Sequence, residues 1–136
     1  MPQYRGTEGD LISVKEAKLF TARHQEQREA IEREGANNYV EAEFFGLETF
    51  KQLLDECGGE PVGFRVYYGL RNEIHSDGEP EVDEKGKPTP RLIIVPVDSH
   101  GVDLTGLVSV GGGLKDMAAE AKAMGNGPVC PHICGR

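Results

Sequence analysis

Cys130, His132 and Cys134 are the residues whose types and spacing best suit chemistry. They lie in the segment Cys130-Pro131-His132-Ile133-Cys134, after a Gly125-Asn126-Gly127-Pro128 run, and take two of the 3 cysteines. Thiolate and imidazole are soft, strong metal ligands, and two thiols can also close into a disulfide. Three outcomes stay open. In a structural tail the cysteines are bridged or packed as thiols, and Pro131 favours the turn that a bridge needs by fixing its own φ. In a metal centre, a fourth ligand comes from His100, His24, His75 or another chain, and the cofactor is zinc or another soft metal ion. A structural zinc site usually draws on two ligand pairs, however, and this chain supplies one. The third outcome is thiol-redox chemistry, although the spacing is not the Cys-x2-Cys of thioredoxin-like proteins.

Other chemical groupings read more plainly. Asp98, His100 and Asp103 form a carboxylate–histidine set of the kind used in acid–base work, but Asp98-Ser99-His100-Gly101 is also ordinary turn chemistry. Gly111-Gly112-Gly113-Leu114-Lys115 could cradle an anion at a helix start, yet it matches neither the dinucleotide nor the P-loop spacing and reads as a tight turn. Asp77, Glu79, Glu81, Asp83 and Glu84 lack the calcium-loop order and read as a solvated hairpin tip. Cys57 continues an apolar helix face and reads as a small core residue.

These residues must be positioned by a chain of 136 residues, long enough for one domain with its own core. Residues 1–10 read as a surface arm, 11–125 as the domain and 126–136 as a cysteine-bearing tail. Ser13 and Glu16 form a capping box that opens a helix with Ala17, Phe20, His24, Gln27 and Ile31 on one side, closed by Gly35. Tyr39 to Phe45 alternates as a strand with Val40, Ala42 and Phe44 inward. Leu47 to Glu56 is a second helix with Leu47, Phe50, Leu53, Leu54 and Cys57 on one stripe, ended by Gly58-Gly59.

Val62 to Leu70 is the strongest strand, with Val62, Phe64, Val66, Tyr68 and Leu70 facing one way and Gly63, Arg65, Tyr67 and Gly69 the other. A polar connection over 72–90 leads to a strand over Arg91 to Val97, placed at a sheet edge by Pro96. Leu104 to Val110 adds a short strand, and a last helix carries Leu114, Met117, Ala118, Ala121 and Met124. The fold expected is α+β: a single domain with a small, mainly antiparallel sheet packed with two or three helices. Its expected core is Phe20, Phe44, Phe50, Leu54, Phe64, Val66, Tyr68, Ile94 and Val95.

Phe44-Phe45-Gly46, Leu53-Leu54, the Gly63-Phe64-Arg65-Val66-Tyr67-Tyr68-Gly69 strand, Val97-Asp98 and the terminal Cys-Pro-x-x-Cys together resemble a family of small uncharacterised bacterial proteins. The likeness covers residues 12–110 plus the tail. It implies that the Tyr-Tyr-Gly strand and the cysteine tail belong to one design, and it carries no activity or catalytic residue with it.

A formal net charge of -8 argues against nucleic acid, whose phosphates must be met by lysine and arginine. The longest apolar run, Leu92-Ile93-Ile94-Val95, is far too short to span a membrane. The N-terminus has no apolar segment of signal-peptide type, so the cytoplasm is the default compartment, with leaderless export also compatible. With no catalytic set and no cofactor fingerprint, the chain reads as a non-enzymatic structural or interaction protein. Its partner is a second copy of itself, reached by strand addition at the Pro96 edge, by docking of the Pro131 tail, or through the ring of Tyr67. The tail cysteines act as a disulfide or metal staple. The alternative is a small metal-binding or thiol-redox protein using the tail cluster. No substrate class is indicated.

Overall fold

Ser13 sets the first helix. Its Oγ accepts a hydrogen bond from the Glu16 backbone N–H at 3.0 Å, and α1 runs over Val14–Gln25. In the computed structural model, which describes residues 3–33, 37–75, 80–105 and 122–130, the predicted single helix is two. The Gln27 N–H turns back to the His24 carbonyl at 3.1 Å, and a short α2 follows at Arg28–Arg33. α1 buries no side chain, and Phe20, placed in the core from its spacing, is exposed. Only a narrow stripe of α1 is apolar, too little to displace water along its length. Polar and aromatic contacts attach it instead. His24 Nε2 lies 2.8 Å from the Val40 carbonyl and its ring stacks on Tyr39, with centroids 5.4 Å apart. The Arg28 guanidinium sits over the same Tyr39 ring, 5.2 Å from its centroid.

The second helix forms where the sequence places it, as α3 over Leu47–Glu56. Leu53, rather than Leu54, is its buried residue, and it joins Ile94 and Met124 in an apolar cluster flanked by Phe45 and Phe50. Leu54 is half-buried and Leu47 is exposed. Cys57 is a free, half-buried thiol whose S–H donates to the Leu54 carbonyl at 3.2 Å.

The remaining elements are β1 (Ala42–Glu43), β2 (Pro61–Ile74), β3 (Glu81–Val82), β4 (Lys87–Asp98) and β5 (Val129–Cys130). They form two small antiparallel sheets, β1-β5 and β3-β2-β4, and the fold is α+β. β1 pairs with β5 through Ala42↔Cys130 and Glu43↔Val129, while β2 pairs with β3 through Glu73↔Val82 and Ile74↔Glu81. Much of the expected polar connection over 72–90 is therefore strand. No helix among the described residues is long and apolar enough to cross a membrane.

The facing of β2 is the reverse of the one expected. Phe64, Val66, Tyr68 and Leu70 are exposed, whereas Arg65, Tyr67 and Arg71 are half-buried and Glu73 is buried. Around β1 the expected facing holds in part: Val40 is buried as expected, but Ala42 and Phe44 are exposed and the Glu43 side chain is 1% accessible. Burial of a charged row is tolerable only when every charge has a partner, and here the partners exist. Ile94 and Val95 are buried as expected.

The chain divides into two compact units. The first holds residues 1–9, 45–67 and 92–125, including α3 and the Leu53 cluster; the second holds 10–44, 68–91 and 126–136. Two expected extensions of the domain, the Gly111–Gly113 turn and the helix carrying Leu114 and Met117, lie outside the described residues, as do Gly35 and most of the Leu104–Val110 strand. Met124, expected on that helix, forms a bridge with Ile94 instead, with both N–H···O distances at 2.9 Å.

Candidate functional site

The second unit is organised around Glu73, a buried carboxylate on β2. Arg91 of β4 grips it with two hydrogen bonds, Nε to Oε2 at 2.7 Å and Nη2 to Oε1 at 3.0 Å. Arg71 Nε adds a third at 2.9 Å, and His75 Nε2 lies 3.0 Å from Oε1. Burial alone would push this carboxyl upward. The hydrogen bonds from Arg91, His75 and Arg71 outweigh it and hold the pKa at about 2. The same pairing raises Arg91 despite its own burial. Bidentate, charge-assisted pairs of this kind fix orientation as well as charge.

The cluster extends to the segment ahead of β5. Arg91 Nη1 donates to the Gly127 carbonyl at 2.7 Å and lies 3.4 Å from Glu43 Oε2, which itself accepts the Gly127 N–H at 2.9 Å. Arg71 Nη1 donates to the Asn126 side-chain oxygen. Asn126 adopts φ 60°, a left-handed conformation that asparagine tolerates better than most residues. Gly127 has no room for a side chain, because a Cβ there would collide with the Phe44 carbonyl. Asn38 completes the network, its Nδ2 donating to the Glu73 carbonyl at 2.9 Å and to Thr89 Oγ1 at 2.8 Å. Residues 126–130, which sequence reads as the start of a tail, are thus bonded into this unit.

The first unit carries a smaller ionic group. Arg65 Nη1 donates to Asp103 Oδ1 at 2.6 Å, and the Tyr67 hydroxyl donates to Asp103 Oδ2. The Asp103 side chain is 1% accessible and that of Arg65 is 35% accessible. Burial raises the Tyr67 pKa, and the adjacent Asp103 raises it further, so the phenol stays protonated. Arg65 is raised, first by the neighbouring Tyr67 hydroxyl and also by the Asp103 charge.

Most of the residues that sequence singles out serve local structure. Asp98 does turn work: its Oδ1 accepts the backbone N–H groups of His100 at 2.9 Å and Val102 at 3.0 Å. His100 is exposed, and Asp103 is committed to Arg65 and Tyr67. Pro96 is fully buried, its carbonyl accepting from the Leu104 N–H at 2.9 Å, so its ring presents no surface to a partner. Tyr67 is likewise half-buried and bonded inward. His24 and His75 are engaged within the second unit, which also holds Cys130, while His100 belongs to the first. Cys130 is half-buried on β5 with its sulfur in a disulfide. Pro131, His132 and Cys134 lie outside the described residues, and no group of three metal-ligating side chains gathers among the described ones.

Sequence reasoning passes over Glu73, Arg91, Glu43 and Arg65 as site residues. The signal it could use is charge complementarity: two arginines and one glutamate recur on the odd-numbered row of β2, with Arg91 and Glu43 elsewhere to balance them.

No known protein family, curated protein or solved structure matches the chain.

Proposed function

We propose that this is a non-enzymatic interaction protein that self-associates, with the Cys130 disulfide as a staple for the C-terminal segment. The observation that carries the reading is the outward face of β2 in the second unit. Tyr68 is 93% exposed and Leu70 68% exposed, with Asn72 and Ile74 continuing the same row. An apolar strand face turned to water marks an interaction surface. A second copy is the occupant that fits. The row is uncharged, so two chains of net charge -8 can meet across it without opposing carboxylates, and an isologous contact needs a self-complementary patch. The groups able to do acid–base work support the same reading, since Glu73 and Asp103 are already bound by arginines. A sulfur held in a disulfide is not a thiolate ligand, which favours the covalent form of the staple over the metal form.

Light scattering after size exclusion of the full chain tests this. The wild type is expected to run as a dimer or larger at micromolar concentration and Leu70→Glu as a monomer with an unchanged circular dichroism spectrum. A monomeric wild type, or an unaltered Leu70→Glu assembly, overturns it.

A further inference from the structure

A cleft of roughly 500 Å³ opens in the first unit, within the size range of small-molecule sites and lined by Tyr4, Gly6, Glu8, Phe64, Arg65 and Val97 together with Val62 and Gly63. Its walls are mostly apolar or aromatic, and Phe64 among them is 55% exposed. The N-terminal wall is pinned. The Tyr4 N–H donates to the Ser99 carbonyl at 2.8 Å, and the Tyr4 ring lies under the Arg65 guanidinium at 5.8 Å. Gly6 follows at φ +91°, where a Cβ would come within 2.8 Å of the Val62 carbonyl oxygen, so the arm lies directly on β2.

Charge decides what this cleft suits. Arg65 is neutralised by Asp103 at 2.6 Å, so the unbalanced charge in the lining is the Glu8 carboxylate. Glu8 is held in place by the Arg5 N–H at 2.7 Å on Oε2 and the Gly6 N–H at 2.9 Å on Oε1. Each oxygen keeps lone pairs for a further donor. Those backbone bonds, led by the one from Arg5, hold Glu8 below the ordinary carboxylate range and therefore charged. An exposed aromatic side chain, here Phe64, and a fixed carboxylate lining one cleft are the combination that attracts cations, by ring quadrupole and by charge-assisted hydrogen bonding together.

We propose that this cleft binds a small organic cation with an apolar body, its ammonium group on Glu8 and its body against Tyr4, Phe64 and Val62. The proposal does not rest on the self-association reading.

Calorimetric titration of the full chain with three probes of one shape tests the assignment: phenethylamine, its uncharged relative 2-phenylethanol, and the anion 3-phenylpropanoate. Phenethylamine is expected to bind at least about tenfold more tightly than either of the others. Glu8→Gln should erase that preference. Gly63→Leu is the blocking variant, because Gly63 lines the cleft and a Cβ there meets nothing within 4 Å, leaving room for a larger side chain beside the bound molecule. It should abolish phenethylamine binding while leaving the thermal melt unchanged. Tighter binding of 3-phenylpropanoate would transfer the site to Arg65 and overturn the proposal. So would equal binding of amine and alcohol, absent phenethylamine binding, or titrations that Gly63→Leu leaves unaltered.

Discussion

β2 turns a charged row inward in both units, and the two units answer those charges differently. In the first, Arg65 and Asp103 form one ion pair with Tyr67, and stability is carried by the separate apolar cluster of Leu53, Ile94 and Met124. In the second, the interior of the strand row is itself ionic: Glu73 and Glu43 against Arg91, Arg71 and His75. A buried ion pair adds little net stability relative to apolar packing, because desolvation consumes most of the Coulombic gain, yet it is costly to break halfway. The first unit should therefore tolerate loss of a neutral donor to its ion pair, and the second should not tolerate loss of the guanidinium that its two carboxylates share. The second also gains register specificity, since only one alignment of β2, β4 and the segment at Gly127 satisfies all the donors.

The sharpest way to break that contrast is Arg91→Met. It leaves Glu73 and Glu43 short of their shared guanidinium and strands the Gly127 carbonyl, at a cost of about 3–5 kcal/mol, typical of a buried pair cut on one side. Chemical denaturation should show the loss. Adding Glu73→Gln should restore part of it, because the worst orphaned charge is then gone. If Arg91→Met cost no more than an exposed substitution, the ionic interior would be incidental.

Acid gives the next largest effect. Glu73 has a folded pKa of about 2 against an ordinary value of 4.5, so the unfolded chain takes up its proton first as pH falls. Its contribution is fully present above pH 4.5 and is lost as pH falls through about 2, a change on the order of 3 kcal/mol. Protection factors of the Lys87, Thr89 and Arg91 amides of β4, taken against the intrinsic exchange rate at each pH, should fall across that window in the wild type. In Glu73→Gln the same segment should start less protected and change less. A wild-type profile flat from pH 5 to 2 would sink the assignment.

How far the sequence foretells this division depends on how local each determinant is. The Ser13 cap and the Leu47–Glu56 helix are legible because their signals lie within a few residues: a hydroxyl three before a glutamate, and an apolar stripe at helical spacing. The direction of β2 is not legible. A period of two says that the faces of a strand differ, and the even row of Phe64, Val66, Tyr68 and Leu70 is the one hydrophobicity would bury. What reverses it lies far along the chain, since Arg91 is 18 residues from Glu73 and Asp103 is 38 from Arg65. Sequence pairs Asp103 with His100, its neighbour, whereas its true partners are on β2. Pro96 suggests an edge, and β4 is an edge of its sheet, but the same proline is buried by the chain that follows it.

The smallest effect belongs to the first unit and sharpens the comparison from the other side. Tyr67→Phe removes one donor from Asp103 without removing the arginine that balances it, and the ring itself stays to fill its place. Asp103 keeps Arg65 Nη1 at 2.6 Å, so its charge stays balanced even though its own side chain is only 1% accessible. A hydrogen bond to a charged group is worth about 1.5–3 kcal/mol, and the expected loss lies in that range, below that of Arg91→Met. It should be local, with faster hydrogen exchange around the Val97↔Asp103 bridge and no change over Ala42–Glu43. A penalty equal to that of Arg91→Met would mean that the Arg65 pair is as tightly closed as the Glu73 cluster. The contrast drawn between the units would then fail, because both would depend on ionic interiors that tolerate no missing partner.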